Sequence, residues 1–223
     1  MFTQVLIALV VGYLLGSLPF GYLVARAKGV NIFEVGSKSS GATNVRRVLG
    51  NGPGVLVLFL DALKGAVAAG WPMIHFTWSI VDGSLTSLHA SFENTDPLAV
   101  NMAVAGLVGS VLGHSFSCFI KFRGGKSVAT GAGAFLVLFP LGLGIALAVF
   151  GLTLAIGRMV SLSSMLASVA LPITAYVLDR GTVLVVTCVA VAVFVVVRHR
   201  ANISRILAGT ESKIGRKAAA PKS

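Results

Sequence analysis

Of the 223 residues, 56% are hydrophobic and only 11% are charged, against about 25% charged residues in a soluble domain. This composition excludes an ordinary soluble protein and describes an integral membrane protein. The formal net charge of +11 is assigned to loops at one membrane face rather than to nucleic acid, because no RNA- or DNA-binding module is legible.

No positive segment precedes the first apolar run, so no cleaved signal peptide is expected. That run, Val5–Ala25, is long enough to cross a bilayer, which takes about 20 residues. The stretch GSKSSGATNVRRVLG, Gly36 to Gly50, then breaks the apolar pattern. Its glycines can bring backbone N–H groups close to an anion, and Ser37, Ser39, Ser40, Thr43, Asn44, Arg46 and Arg47 supply hydroxyls, an amide and guanidinium groups around it. A second span is read over Gly54–Ile74. It holds Asp61 and Lys64, three apart and therefore on one helical face. Charges inside a membrane are costly, and this pair is expected to be structural, holding the first polar segment.

The segment His75–Leu98 carries Asp82, Glu93 and Asp96 with no Lys or Arg. A third span, Ala99–Ile120, runs into GHSFSCFIKFRGGKSVATGAG, Gly113 to Gly133. The GGKS within it resembles the end of a nucleotide-binding P-loop, but that pattern needs a Gly five residues before Gly125, where Ile120 stands. What remains is a Gly-Gly-Lys turn opening a helix at Ser127, and helix N-termini attract anions. The run Val128–Gly157 is too long for one helix crossing, at about 45 Å by the 1.5 Å rise, and Pro140 with Gly142 and Gly144 gives it a place to turn. RMVSLSS follows, with Ser161 placed to cap the next helix, then the spans Met159–Leu178 and Thr182–Val197. In RHRANISRILAGTESKIG, Ile203, Ile206 and Leu207 share one helical face, as in an interfacial amphipathic helix.

Sixteen of the 18 basic residues fall in the segments around 26–47, 121–126, 158 and 198–222; Lys64 lies in a span and Arg180 in the Asp179-Arg180 turn. The positive-inside rule puts those segments in the cytoplasm and the N-terminus outside. Only an even number of crossings through Val128–Gly157 keeps Arg158 and the basic tail on that side. The expected architecture is therefore an all-α integral membrane protein of about seven helices, with residues 1–211 as one transmembrane domain and 212–223 as a disordered cytoplasmic tail. Cys118 and Cys188 lie in apolar runs with no disulfide framework or metal spacing, and the four histidines show no metal-binding spacing.

Taken together, Gly16-Ser17 with Gly21, GSKSSGATNVRRVLG, DALKG, GHSFSCFIKFRGGKSVATGAG, RMVSLSS and RHRANISRILAGTE resemble the bacterial acyl-phosphate:glycerol-3-phosphate acyltransferases of the PlsY type. They run in the family's order from Gly16 to Glu211. The chain departs from the family where Lys38 and Ser39 replace a Gly and an Asn, where Ser117, Arg123 and Ser127 stand in GHSFS and FRGGKS, and where Ala201 occupies a position that is often Glu.

The resemblance implies a multi-pass enzyme of the bacterial inner or plasma membrane with its site on the cytoplasmic side. It implies transfer of a fatty acyl group from acyl phosphate to the 1-hydroxyl of sn-glycerol 3-phosphate, without metal or cofactor, and a product that enters the lipid. Carried over by motif position, Ser37, Arg47, His199 and Asn202 are the catalytic candidates, and Asn44, Arg123, Gly124, Gly125, Lys126 and Ser161 the phosphate-binding ones. Acyl-CoA is not expected as donor. The chain has no soluble domain to grip the nucleotide, and it lacks the H-x-x-x-x-D dyad of the other large class of glycerol-phosphate acyltransferases: His75, His89, His114 and His199 are followed five residues later by Ile80, Asn94, Phe119 and Ser204. A transporter of a phosphorylated solute would instead place its binding groups near the bilayer midplane, whereas the basic, glycine-rich segments here gather at one face.

Overall fold

The computed structural model describes residues 1–80 and 97–215, and of 74–80 the backbone only. The acidic segment within His75–Leu98 and the end of the tail lie largely outside the described residues. The described chain is helical: α1 (Phe2–Ser17), α2 (Phe20–Ala27), α3 (Ala42–Leu49), α4 (Asn51–Ile80), α5 (Pro97–Ser115), α6 (Val128–Leu138), α7 (Pro140–Gly157), α8 (Val160–Val177), α9 (Thr182–Arg198) and α10 (Arg200–Leu207). Among the described residues five spans are long and apolar enough to cross a membrane. They are α1 with α2, the Asn51–Met73 part of α4, α5, α7 and α8; α9 with α10, bent by 58°, makes a sixth if taken as one span. The chain divides into two compact units, Met1–Pro140 and Leu141–Ser223.

Four boundaries differ from the sequence reading. The run Val5–Ala25 is interrupted at Leu18-Pro19, because Pro19 has no N–H to continue the helix and the chain restarts as α2. α4 runs to Ile80, past the expected end at Ile74. α5 stops at Ser115, and only a single 3₁₀ turn, Cys118–Ile120, follows it. The run Val128–Gly157 does break before Pro140, but into unequal helices of 11 and 18 residues. Pro140 is well suited to the first turn of α7, where its missing N–H costs nothing.

In the first unit, small residues set the packing. A Cβ on Gly12 or Gly16 of α1 would strike the backbone of Gly106 or Ser110 on α5, and one on Gly109 would strike Leu9 and Tyr13. α4 meets α6 in the same way: Gly65 abuts Thr130, and Gly133 abuts Ala62. In lipid, where apolar contact alone gives helices little reason to associate, this close approach gains van der Waals contact. The first polar segment is not a loose loop. Ile32, Phe33 and Val45 are buried with Ala25 of α2 and Val57 of α4, and Phe33 stacks on Tyr22 at 5.9 Å. Burying side chains of this size contributes about 1.5–3 kcal/mol each, which fixes the segment against the ends of α2 and α4.

Candidate active site

Three of the polar segments carry most of the unusual backbone. Six non-glycine residues among those described have positive φ, and Lys38, Lys121, Phe122, Ser127 and Arg158 lie in these segments; Asp179 is the sixth. A bulky residue such as Phe122 at φ 56° is strained, and such strain concentrates at functional sites.

Asn44 holds the first segment together. It is buried; its Oδ1 accepts the Ser37 N–H at 2.7 Å, and its Nδ2 donates to the carbonyls of Ser39 at 2.9 Å, Val35 at 3.1 Å and Ile32 at 3.4 Å. The amide expected to bind phosphate is thus committed to the loop. It wraps the chain so that Ser37 and Arg47 are left exposed at its surface. Arg46 differs from its neighbour: its stem packs over Gly54, and its Nε donates to Asn51 Oδ1 at 3.0 Å.

The second segment lies beside the first. The Arg123 guanidinium sits 4.2 Å from the centre of the Phe33 ring, a cation–π contact. Arg123 also bridges back to Ser117. Ser117 donates its hydroxyl to the Ser17 carbonyl at 2.5 Å.

The Gly-Gly-Lys turn is built differently from a free anion cradle. Gly125 donates its N–H to the His114 carbonyl at 3.2 Å, so that donor is already used. A Cβ on Gly125 would collide with the His114 imidazole, and one on Gly124 with the His114 and Ser115 carbonyls. The glycines are required by close docking on the end of α5. Lys126 is half-buried next to them. Ser127 opens α6 at φ 58°, a conformation natural to Gly. Here the serine is held by its hydroxyl, which donates to the Val111 carbonyl at 2.6 Å and meets Ser115 Oγ at 2.8 Å.

The expected Asp61–Lys64 pair is present at 2.9 Å, but it does not hold the first polar segment. Lys64 Nζ donates to the Leu18 carbonyl at 2.9 Å, at the break between α1 and α2, and stands over the Phe20 ring.

The second unit gathers Ser161 and Asn202 on Glu211. Ser161 does not cap α8, whose N-cap is Met159. Its hydroxyl donates to Glu211 Oε1 at 2.7 Å, and Asn202 Nδ2 donates to the same oxygen at 2.6 Å. Arg205 Nε donates to Oε2 at 2.7 Å. Burial alone would push the Glu211 carboxyl up, but the hydrogen bonds from Ser161, Asn202 and Arg205 together hold it below its ordinary value. His199, buried at the α9–α10 bend, has its Nδ1 2.7 Å from the Val195 carbonyl. A carbonyl only accepts, so Nδ1 carries the hydrogen and Nε2 is the basic nitrogen of the neutral ring.

These pieces match a known group along nearly their whole length. The profile of the family described as glycerol-3-phosphate acyltransferase matches residues 6–209. The chain belongs to that family. Relatives named glycerol-3-phosphate acyltransferase include one from Trichormus variabilis, 43% identical over 93% of this chain and 91% of its own. Another, from Acaryochloris marina, is 43% identical over 96% and 93%. The fold resembles the crystal structure of PlsY, an integral membrane glycerol 3-phosphate acyltransferase, in its glycerol 3-phosphate form, with a TM-score of 0.81, 33% identity and coverage of 95% of this chain and 96% of that one. The lysophosphatidic acid form of PlsY matches with a TM-score of 0.77. The chain is accordingly a multi-pass membrane glycerol-3-phosphate acyltransferase, an enzyme of phospholipid synthesis.

Glu211, which gathers Ser161, Asn202 and Arg205, is a residue that the sequence reading passed over. It is the sole acid after Asp179, set among basic residues, and that isolation was the available signal.

Proposed function

We propose that the enzyme takes its acyl group from acyl phosphate and transfers it to the 1-hydroxyl of sn-glycerol 3-phosphate, releasing phosphate and 1-acylglycerol 3-phosphate. The observation that carries this reading is the Arg123–Phe33 contact, which brings the Gly-Gly-Lys segment beside the serine- and arginine-rich first segment within one compact unit. Two substrates that are both phosphates need such a double set of cationic, hydroxyl-bearing segments. A thioester donor would leave as a thiol or thiolate, whose developing charge such segments are poorly matched to stabilise.

In this reading Ser37, Arg47, Arg123 and Lys126 hold substrate phosphate. Asn44, Gly124 and Gly125 shape the segments that present those groups. The hydroxyl oxygen attacks the acyl carbonyl carbon, the carbon–oxygen bond to phosphate breaks, and phosphate leaves with the electron pair. Arg123 and Lys126 stabilise that charge as it builds. The hydroxyl proton goes to the substrate's own phosphate. Ser161 and Asn202, ordered by Glu211, complete the polar groups of the second unit. Because acyl phosphate is already activated, positioning and charge neutralisation are asked to supply most of the barrier reduction, and the scheme calls for no metal or redox group. The site faces the cytoplasm, as the clustering of basic residues requires. The reading takes about seven transmembrane helices, with the N-terminus outside and the basic tail inside, in a bacterial inner or plasma membrane. The apolar spans hold the acyl chain, and the product partitions into lipid.

The test is purified protein in detergent with synthetic palmitoyl phosphate and labelled glycerol 3-phosphate. One lysophosphatidate should form per phosphate released. Phosphate release with no labelled lipid would overturn the reading, because it would mean that water, not glycerol 3-phosphate, accepts the acyl group.

A further inference from the structure

The buried ionisable cluster of α4 and α5 is not used by the chemistry above. Asp61, Lys64 and His114 are 2%, 5% and 7% exposed. Asp61 Oδ1 lies 2.9 Å from Lys64 Nζ and 3.4 Å from His114 Nδ1. At 3.4 Å this is an ion-pair approach, and the carboxylate charge favours the ring orientation that turns Nδ1 toward it. The opposite nitrogen, Nε2, stands where a side chain on Gly125 would have to go. The His114 carbonyl accepts the Gly125 N–H, and Ser115, the next residue, donates its hydroxyl to the Gly125 carbonyl at 3.2 Å. Lys64, on the other side of Asp61, holds the Leu18 carbonyl. All three ionisable residues line one small cavity together with Ser17, Ser40 and Ser117, and Ser40 belongs to the first polar segment.

We infer that Asp61 is a positioning residue for the Gly-Gly-Lys turn, acting through the His114 imidazole. A helix-packing pair would need only the Lys64 partner. The placement of His114 between the carboxylate and Gly125 is what a packing role leaves unexplained. With the ring fixed, the turn that carries Lys126 has one seat on α5. When the ring is released, the turn shifts and phosphate contact weakens, although no group that touches substrate has been removed. The titratable groups that face Asp61 are Lys64 on its own helix and His114 on α5.

This inference rests on the reading that the turn binds substrate phosphate, and the test separates the two. Asp61→Asn alone strands the Lys64 charge in the membrane, so it is paired with the double variant Asp61→Asn/Lys64→Met, which leaves no lone buried ion. His114→Gln is measured beside them, with Asp61→Glu as the conservative variant and Lys126→Ala as the control for the turn itself. Full-length proteins are purified in detergent, the folded fraction is isolated by size exclusion, and kcat and KM are measured with palmitoyl phosphate. The double variant and His114→Gln should each raise KM tenfold or more with kcat within threefold, and Asp61→Glu should recover part of the loss. A folded double variant or His114→Gln with wild-type KM would overturn the inference, and so would lower folded yield with unchanged KM in the folded fraction. If Lys126→Ala also leaves KM unchanged, it is the phosphate role of the turn that fails.

Discussion

Asn202 donates its side-chain N–H to Glu211 Oε1 at 2.6 Å, and that oxygen also accepts the Ser161 hydroxyl. One carboxylate thus ties the start of α8 to α10. Its pKa lies below the ordinary value because the hydrogen bonds outweigh the opposing effect of burial. A group whose folded pKa is depressed adds stability above its unfolded pKa and loses it as pH falls through the folded one. Melting temperature should therefore fall from about pH 5 downward, and Glu211→Gln should remove part of that dependence. Gln can keep an oxygen toward Ser161 and Asn202, but its NH₂ then faces the Arg205 N–H. Losing this charged bond costs about 1–3 kcal/mol. Thermal melting of both proteins between pH 3.5 and 7 checks this; parallel pH profiles would remove the carboxylate from the account.

Arg46 and Arg47 are adjacent, yet their surroundings separate them. Both are exposed on the serine- and arginine-rich segment, but Arg46 is occupied with Asn51 and Gly54. An ammonium does not replace a bidentate guanidinium. Arg47→Lys should raise KM for glycerol 3-phosphate about 10- to 100-fold or abolish turnover, in keeping with about 1.5–3 kcal/mol for a charged hydrogen bond. Arg46→Lys should stay within about threefold, since a surface contact of this kind is worth under about 1 kcal/mol. Equal effects in steady-state kinetics would refute the assignment.

The turn glycines give a graded series. Gly124→Ala meets backbone carbonyls, which cannot move aside, and Gly125→Ala meets an imidazole. Both should lose at least about tenfold in kcat/KM, a loss of about 1.4 kcal/mol. Gly131, inside α6, has open space around it, and Gly131→Ala should be active and slightly more stable, by about 0.5–1 kcal/mol. Activity and melting curves of the three variants decide it. Wild-type activity in Gly124→Ala would show that the docking on α5 is looser than the geometry described.

Ser127 stands at a left-handed position. Its hydroxyl bond to the Val111 carbonyl is worth about 1 kcal/mol, and the left-handed backbone costs about 1–2 kcal/mol. The terms nearly cancel, so Ser127→Gly should be close to neutral. Ser127→Val, β-branched and without the hydroxyl, should lose about 2 kcal/mol or more, read as a lower melting temperature.

What the sequence revealed follows from how each feature is encoded. The break at Pro140 was legible because proline, nearby glycines and the sidedness of Arg158 all required it. The break at Leu18-Pro19 was read through although Pro19 marked it, because apolar residues continue across it and the run was taken by hydropathy alone. Arg123 was legible as a cation in a glycine-rich segment. The hydrogen bonds by which Asn44 organises its own loop were not legible, since an amide has the same chemistry toward backbone or ligand and only its partners distinguish them. Glu211 was missed because a single acid in a basic tail looks like solvated charge until α10 brings Asn202 and Arg205 onto it.

The central claim is the donor. The most direct measurement compares palmitoyl phosphate with palmitoyl-CoA at equal concentration, with glycerol 3-phosphate and the purified enzyme, following lysophosphatidate. The account predicts lysophosphatidate from palmitoyl phosphate, inhibition of that reaction by inorganic phosphate or a non-hydrolysable acyl phosphonate, and no product from palmitoyl-CoA. Robust turnover with palmitoyl-CoA alone would contradict both the donor and the role given to Arg123, Lys126 and the turn between them.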